Sequence, residues 1–183
     1  GVHRDKGPLP SAEKPRRTAE MVAQIHNVPG TGYGYVQNGL YENWADAYIS
    51  MIENLLADAR RMGKTSRRGQ RLLGYARQYR AALAAAPCVM VNFDLWSSNI
   101  LCHTVDGKTR FAWIDPERSL WGDPVLDFLP LESFTAPLDK KILSLATHNA
   151  LCQVPVQVNR ETRLRYAFAQ GLLALIQEVE KYY

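Results

Sequence analysis

The sequence has no cysteine pattern that could cross-link it or bind zinc. Cys88, Cys102 and Cys152 are far apart and form no Cys-x-x-Cys, which excludes a disulfide framework and a thiolate zinc site. Each reads as a small buried hydrophobe, and a reducing cytoplasm is the expected compartment. No apolar run approaches the ~20 residues of a membrane span; the longest stretches, 81–86 and 171–176, are short helix faces, so no membrane partner is expected. The segment Gly1-Val2-His3-Arg4-Asp5-Lys6 has no apolar core, so no secretory signal is expected. It also has no initiator Met, and the chain is expected to begin inside a longer polypeptide. No repeat or low-complexity tract is present.

What is present is an ordinary globular composition. The 183 residues are 46% hydrophobic and 22% charged, with 12 Gly and 10 Pro. This is enough chain for one domain, read as 1–183, with a core of its own. The net charge of +4 is unevenly spread. Between Asp58 and Arg80 stand Arg60, Arg61, Lys64, Arg67, Arg68, Arg71, Arg77 and Arg80, against Asp58 alone. A second, smaller excess of bases lies in 1–17, and acids outnumber bases elsewhere. The basic stretch is read as a solvated helix face; an anion or nucleic-acid surface over 60–80 is the alternative.

Residues 1–10, with Gly7-Pro8-Leu9-Pro10, read as an extended lead-in, and Ser11 as the N-cap of a helix over 11–28. Pro29-Gly30-Thr31-Gly32-Tyr33-Gly34 breaks that helix. No strand precedes these glycines and no Gly-Lys-Ser/Thr follows them, so they are a loop between helices rather than a P-loop. Apolar residues at spacings of three and four predict a helix over 43–62, closed by Gly63. A second long helix is expected over 66–86, stopped by Pro87, and the two should pack antiparallel. Short strands are expected at 88–91, 100–104 and 110–114, the last two joined by an Asp106-Gly107 turn. Helices follow at 125–131, 138–151 and 160–181. The fold class is therefore mainly α with a small β-hairpin insert, α+β.

Polar residues gather around the insert. The first strand delivers Asn92-Phe93-Asp94-Leu95-Trp96-Ser97-Ser98-Asn99, and the hairpin's return strand delivers Asp115 in Trp113-Ile114-Asp115-Pro116-Glu117. A hairpin would bring Asp94, Asn99 and Asp115 to one mouth. Two carboxylates and an amide there suit Mg²⁺-assisted phosphoryl transfer, since Mg²⁺ takes a few hard oxygens from protein and the rest from phosphate and water. Asn99 and Asp115 could bind the metal while Asp94 accepts the proton of an attacking hydroxyl.

The order Asp-x-x-x-x-Asn, hairpin, Asp is that of the protein-kinase catalytic core. The chain resembles the C-terminal lobe of the aminoglycoside phosphotransferase-like kinase family, distant relatives of protein kinases. The family's catalytic loop, His-Gly-Asp-Leu-x-x-x-Asn-Ile/Val-Leu, is matched by Asn92-Phe93-Asp94-Leu95-Trp96-Ser97-Ser98-Asn99-Ile100-Leu101. Its metal motif is matched by Ile114-Asp115-Pro116-Glu117, then Gly122-Asp123-Pro124 and Asp127. Ile25-His26 and the 29–34 loop also resemble the family's early C-lobe helix and loop. The family histidine is replaced by Asn92, which can both donate and accept.

The resemblance implies a protein-kinase-like C-terminal lobe whose catalytic base is Asp94 and whose metal ligands are Asn99 and Asp115. It also implies Asn92, Asp123 and Asp127 as supports of the catalytic loop, with Asp123 and Asp127 capping the next helix and anchoring the loop. Glu117, Glu132, Asp139 and Trp96 stand where the family's acceptor site is lined, although each carboxylate also reads as a surface or capping group. His26 is read as a structural histidine. The implied cofactors are Mg²⁺ and ATP or another nucleoside triphosphate, and the implied partner is a small molecule bearing a hydroxyl. The family's N-terminal β lobe, with its phosphate-binding Lys, has no counterpart here, so these 183 residues alone are expected to be inactive. The alternatives are a non-catalytic ligand- or partner-binding kinase-like module and a nucleic-acid binder.

Overall fold

The computed structural model describes residues 13–105 and 108–183. The predicted lead-in 1–10, the Ser11 cap and the Asp106-Gly107 turn lie outside the described residues. The described chain is mainly helical with two small antiparallel sheets, an α+β arrangement. No helix in it is long and apolar enough to cross a membrane.

Helix α1 (Glu13–His26) buries Thr18, Ala19, Val22, Ala23 and His26 along one face, against α5 (Ile142–Leu151) and strand β1 (Val89–Val91). The loop after α1 extends the edge of a small sheet. Gly30 donates to Cys88 O (3.1 Å), and Gly34 and Trp121 exchange backbone hydrogen bonds. A Cβ on Gly30 would lie 2.5 Å from Cys88 Sγ and 2.8 Å from the Trp121 ring, so only glycine permits this approach. Gly30 and Gly34, in the segment read as a loop between helices, serve backbone pairing at the sheet edge.

Helix α2 (Trp44–Arg61) begins at Asn43, whose side chain accepts from Asp46 N, and ends in a Schellman turn at Gly63, φ +66°. The helix expected over 66–86 is two helices, α3 (Arg67–Gln78) and α4 (Arg80–Ala84), broken at Tyr79 (ψ 25°). The break lays Tyr79 against Phe168 and brings Arg80 to Asp46, contacts that periodicity does not reveal. Of the basic run, Arg61, Arg77 and Arg80 pair with Asp58, Glu53 and Asp46, and all eight cations are exposed.

Strand β1 pairs with a strand the sequence does not announce, β4 (Leu120–Gly122), in the register Val89↔Gly122 to Val91↔Leu120. Strands β2 (Ile100–Val105) and β3 (Lys108–Trp113) form the hairpin, Ile100 facing Trp113. The segment expected to be helical over 125–131 is a 3-10 turn, Pro124–Phe128, and Pro130 has no N–H with which to continue a ladder. The helix expected over 138–151 is interrupted at Lys141. The fully buried Lys141 ammonium donates to Leu129 O, Leu131 O and Ser133 O at 3.1, 2.6 and 2.6 Å, and burial pushes it down to about 8.

The long closing helix α6 (Arg160–Glu180) starts with a capping box between Asn159 and Thr162. It packs on α2, α3 and α4, and Tyr48 of α2 donates to Phe168 O at 2.7 Å. Trp44, Tyr48, Ile52, Phe128, Leu172 and Leu175 are fully buried at this junction. The three cysteines are free thiols, and burial pushes each upward.

One ion pair lies inside the core: Arg165 of α6 donates to Asp123 Oδ2 at 2.7 Å, with both side chains buried. Burial pushes the Asp123 carboxyl up while Arg165 opposes it. Arg165→Met would strand a buried carboxylate and should cost about 3–5 kcal/mol, whereas Arg165→Met with Asp123→Asn should recover most of the loss. Urea denaturation of the two variants and the parent chain reads this directly.

Candidate functional site

Strand β1 ends at Val91, and the next residues turn sharply into the loop that carries Asp94. Phe93 takes φ +59°, a left-handed backbone that a bulky residue adopts only when its surroundings enforce it. The enforcing group is Asp127, whose fully buried carboxylate accepts from Asn92 N (3.0 Å) and Phe93 N (2.7 Å). The Asn92 side chain accepts from Asp94 N at 3.0 Å and fixes the next step of the loop. Asp123 accepts from Val125 N and so caps the 3-10 turn that bears Asp127.

On the far side of the loop, Asn99 Nδ2 donates to Asp94 Oδ2 (2.9 Å) and to Asp94 O (3.1 Å). Asp94 Oδ1 faces Arg118 Nε at 4.0 Å, and Arg118 Nη2 donates to Glu180 at 2.5 Å. The Asp94 side chain is 11% exposed and Arg118 24%, so Asp94 Oδ1 lies at the edge of solvent. Among the described residues, Asn99 Oδ1 has only a 3.5 Å approach from the Ser98 hydroxyl.

Asp115 follows β3. Ile114 N donates to Asn99 O at 3.0 Å, so Asp115 stands one residue beyond the backbone partner of Asn99. It is exposed and left-handed (φ 62°, ψ 61°), and it begins the 3-10 turn Pro116–Arg118. The side chains of Asp94 and Asn99 are therefore in contact, and Asp115 is carried to the same end of the hairpin. Among the described residues no group of three or more His, Cys, Asp or Glu is arranged to bind a metal ion. The donor set available here is an amide oxygen and an exposed carboxylate, and it fits a cation that draws its remaining ligands from phosphate and water.

The residues suggested for acceptor binding do not gather. Trp96 stacks on Phe134 (centroids 5.4 Å apart) and lines a 360 Å³ cavity with Glu132, on the α1 side of the loop. Glu132, itself left-handed (φ 58°), accepts from Ser144 N at 2.6 Å and so caps the start of α5. Asp139 lies 3.8 Å from Arg163, at a different cavity. Glu117 is exposed on the turn after Asp115. A further cavity, of 240 Å³, lies between α2 and α6, and Arg118 lines it.

Behind the loop runs a buried chain of polar groups. Asn149 is oriented by donating to Val156 O (3.0 Å) and accepting from Val156 N (2.9 Å), so its Oδ1 accepts from His148 Nδ1 at 2.9 Å. His148 is pushed down to about 4 by burial and stays neutral, so its Nε2 accepts from His26 Nδ1 at 2.9 Å. His26 Nε2 meets Asp127 Oδ2 at 3.2 Å. Sequence reasoning missed His148, Asn149, Arg118 and Arg165, which stand in no motif.

No family model matches the chain, and no curated protein does.

Because folded His148 binds its proton only near pH 4, against 6.5 when solvated, the unfolded chain carries more protons between those values. The stability held in this group is complete above about pH 6.5 and is lost as pH falls toward 4, with a slope approaching ~1.4 kcal/mol per pH unit. His148→Asn should flatten that slope. Chemical denaturation at intervals from about pH 7 to about pH 4.5 compares the two.

Proposed function

We propose that this chain is the C-terminal lobe of a small-molecule kinase resembling the aminoglycoside phosphotransferase-like family. It would move the γ-phosphoryl of ATP, or of another nucleoside triphosphate, to a substrate hydroxyl. The observation that carries this reading is the state of Asp94. One carboxylate oxygen is held by Asn99 at 2.9 Å and the other faces outward, on a loop whose backbone is pinned from behind by Asp127. That is the geometry of a positioned general base.

In this reading Asp94 Oδ1 accepts the acceptor's hydroxyl proton. The hydroxyl oxygen bonds to the γ-phosphorus, and the bond from that phosphorus to the β–γ bridging oxygen breaks. Asn99 Oδ1 and Asp115 would bind Mg²⁺, which when bound offsets the phosphate charge. Asn99 thus has two tasks on one amide: its nitrogen orients Asp94 and its oxygen remains available to the cation. Asn92, in the place of the family's histidine, supports the loop by accepting from Asp94 N. Binding the α- and β-phosphates is assigned to a lobe preceding residue 1.

Asp94→Ala in the full-length polypeptide should lower Mg²⁺-dependent ADP release in the presence of acceptor by ~10²–10⁴-fold. ATP binding, followed by calorimetry, should stay within about twofold. The acceptor panel is kanamycin, glucose, choline and benzyl alcohol. Turnover unchanged by Asp94→Ala removes Asp94 from the base role, and no ADP release with any acceptor favours a non-catalytic binding module.

A further inference from the structure

Two residues that line the cavity between α2 and α6, Arg118 and Tyr35, stand beside Asp94, which is not itself one of the cavity's walls. Arg118 lines the cavity, and its Nε lies 4.0 Å from Asp94 Oδ1. That gap is too long for a direct hydrogen bond. It does admit one hydroxyl oxygen at about 2.8 Å from each group, accepting from Arg118 Nε and donating to Asp94 Oδ1. The larger cavity beside Trp96 is lined by Leu95 and Trp96 rather than by Asp94 or Arg118.

The cavity's charge is already spent within the protein. Asp58 and Glu180 are its lining carboxylates; Asp58 is paired with Arg61, and Glu180 with Arg118. Its remaining walls are largely apolar, formed by Met51, Leu55, Leu172 and Ile176, with the neutral polar groups of Tyr35, Asn38 and Asn54 beside them. Burial pushes the Tyr35 phenol up, with Arg118 opposing and Asp94 adding to the rise, which agrees with a neutral hydroxyl beside both charges. At 240 Å³ the cavity falls below the ~300–1,000 Å³ that accommodates drug-sized ligands.

We infer that the acceptor is a small, uncharged, largely apolar alcohol seated between Arg118 and Asp94, and that Arg118 excludes polycationic acceptors. The inference rests on the kinase reading above, but it departs from the substrate class that gives the resembled family its name. A multiply charged aminoglycoside would need unpaired carboxylates, and it would place ammonium groups against the Arg118 guanidinium. A neutral alcohol needs neither, and it buries its hydrocarbon part against α2 and α6.

The test measures binding to the 183-residue chain without nucleotide, by amide NMR shifts at Met51, Leu55, Asp94, Leu172 and Ile176. The probes are benzyl alcohol and kanamycin. Benzyl alcohol should shift these amides saturably, and kanamycin should bind there at least tenfold more weakly. Arg118→Glu should improve kanamycin binding at least tenfold and weaken benzyl alcohol. Kanamycin binding the parent chain as tightly as benzyl alcohol overturns the inference, and so does an absence of shifts with both probes. Arg118→Glu leaving the preference unchanged removes Arg118 as its determinant. The two failures are separable. Alcohol binding with turnover indifferent to Asp94→Ala defeats the kinase reading alone, whereas loss of turnover with Asp94→Ala alongside kanamycin preference defeats only this inference.

Discussion

The carboxylate of Asp127 holds the rest of the site in place. It is wholly buried, and a charge in such a place is tolerated only when its lone pairs are filled. Two are filled by the amides of Asn92 and Phe93, and His26 Nε2 lies 3.2 Å from Oδ2. These contacts hold Phe93 at φ +59°, a conformation that costs on the order of 1–3 kcal/mol. The strain and the buried charge are each unfavourable alone, and each is offset by the same hydrogen bonds. Asp94 points outward because the two preceding residues cannot relax.

Asp123 and Asp127 are four residues apart on a turn begun by Pro124, and they serve different halves of the molecule. Asp123 reaches Arg165 in α6. Asp127 reaches the loop after β1 and, through His26, His148 of α5. The loop that carries Asp94 is thereby fastened to both sets of helices through five residues of backbone. Helix α6 returns to the site at its far end, where Glu180 pairs with Arg118. The helical body therefore fixes the positions of the groups around Asp94 as well as providing a core.

Local patterns on the sequence show where these parts begin. The 3.6-residue spacing of Trp44, Tyr48, Ile52 and Leu56 marks α2, and Asn43 and Gly63 mark its ends. The order Asp94, Asn99, Asp115 around a hairpin is equally local, and it was readable. What could not be read depends on partners distant in sequence. Strand β4 is three residues with no alternation, and it is a strand only because β1 lies beside it. A well-formed helical pattern breaks at Tyr79 in favour of the contacts Tyr79 to Phe168 and Arg80 to Asp46. His148 and Arg165 lie on helices whose apolar faces gave no reason to expect a buried polar chain or ion pair. Asp139 and Glu132 looked alike as acidic residues before the C-terminal helices, yet one lies near Arg163 and the other caps α5.

Left-handed backbone at non-glycine residues is found, among the described residues, at Phe93, Asp115 and Glu132. Asp adopts it at modest cost, whereas a bulky Phe does not; Phe93 directly precedes Asp94, and Asp115 lies three residues before Arg118. Phe93 sets the direction of Asp94. Asp115 turns the chain immediately after β3, so that the short turn Pro116–Arg118 doubles back and delivers the Arg118 guanidinium to the outer face of Asp94. Two left-handed residues thus stand on the segments that place Asp94 and Arg118, one on each side of the contact between them.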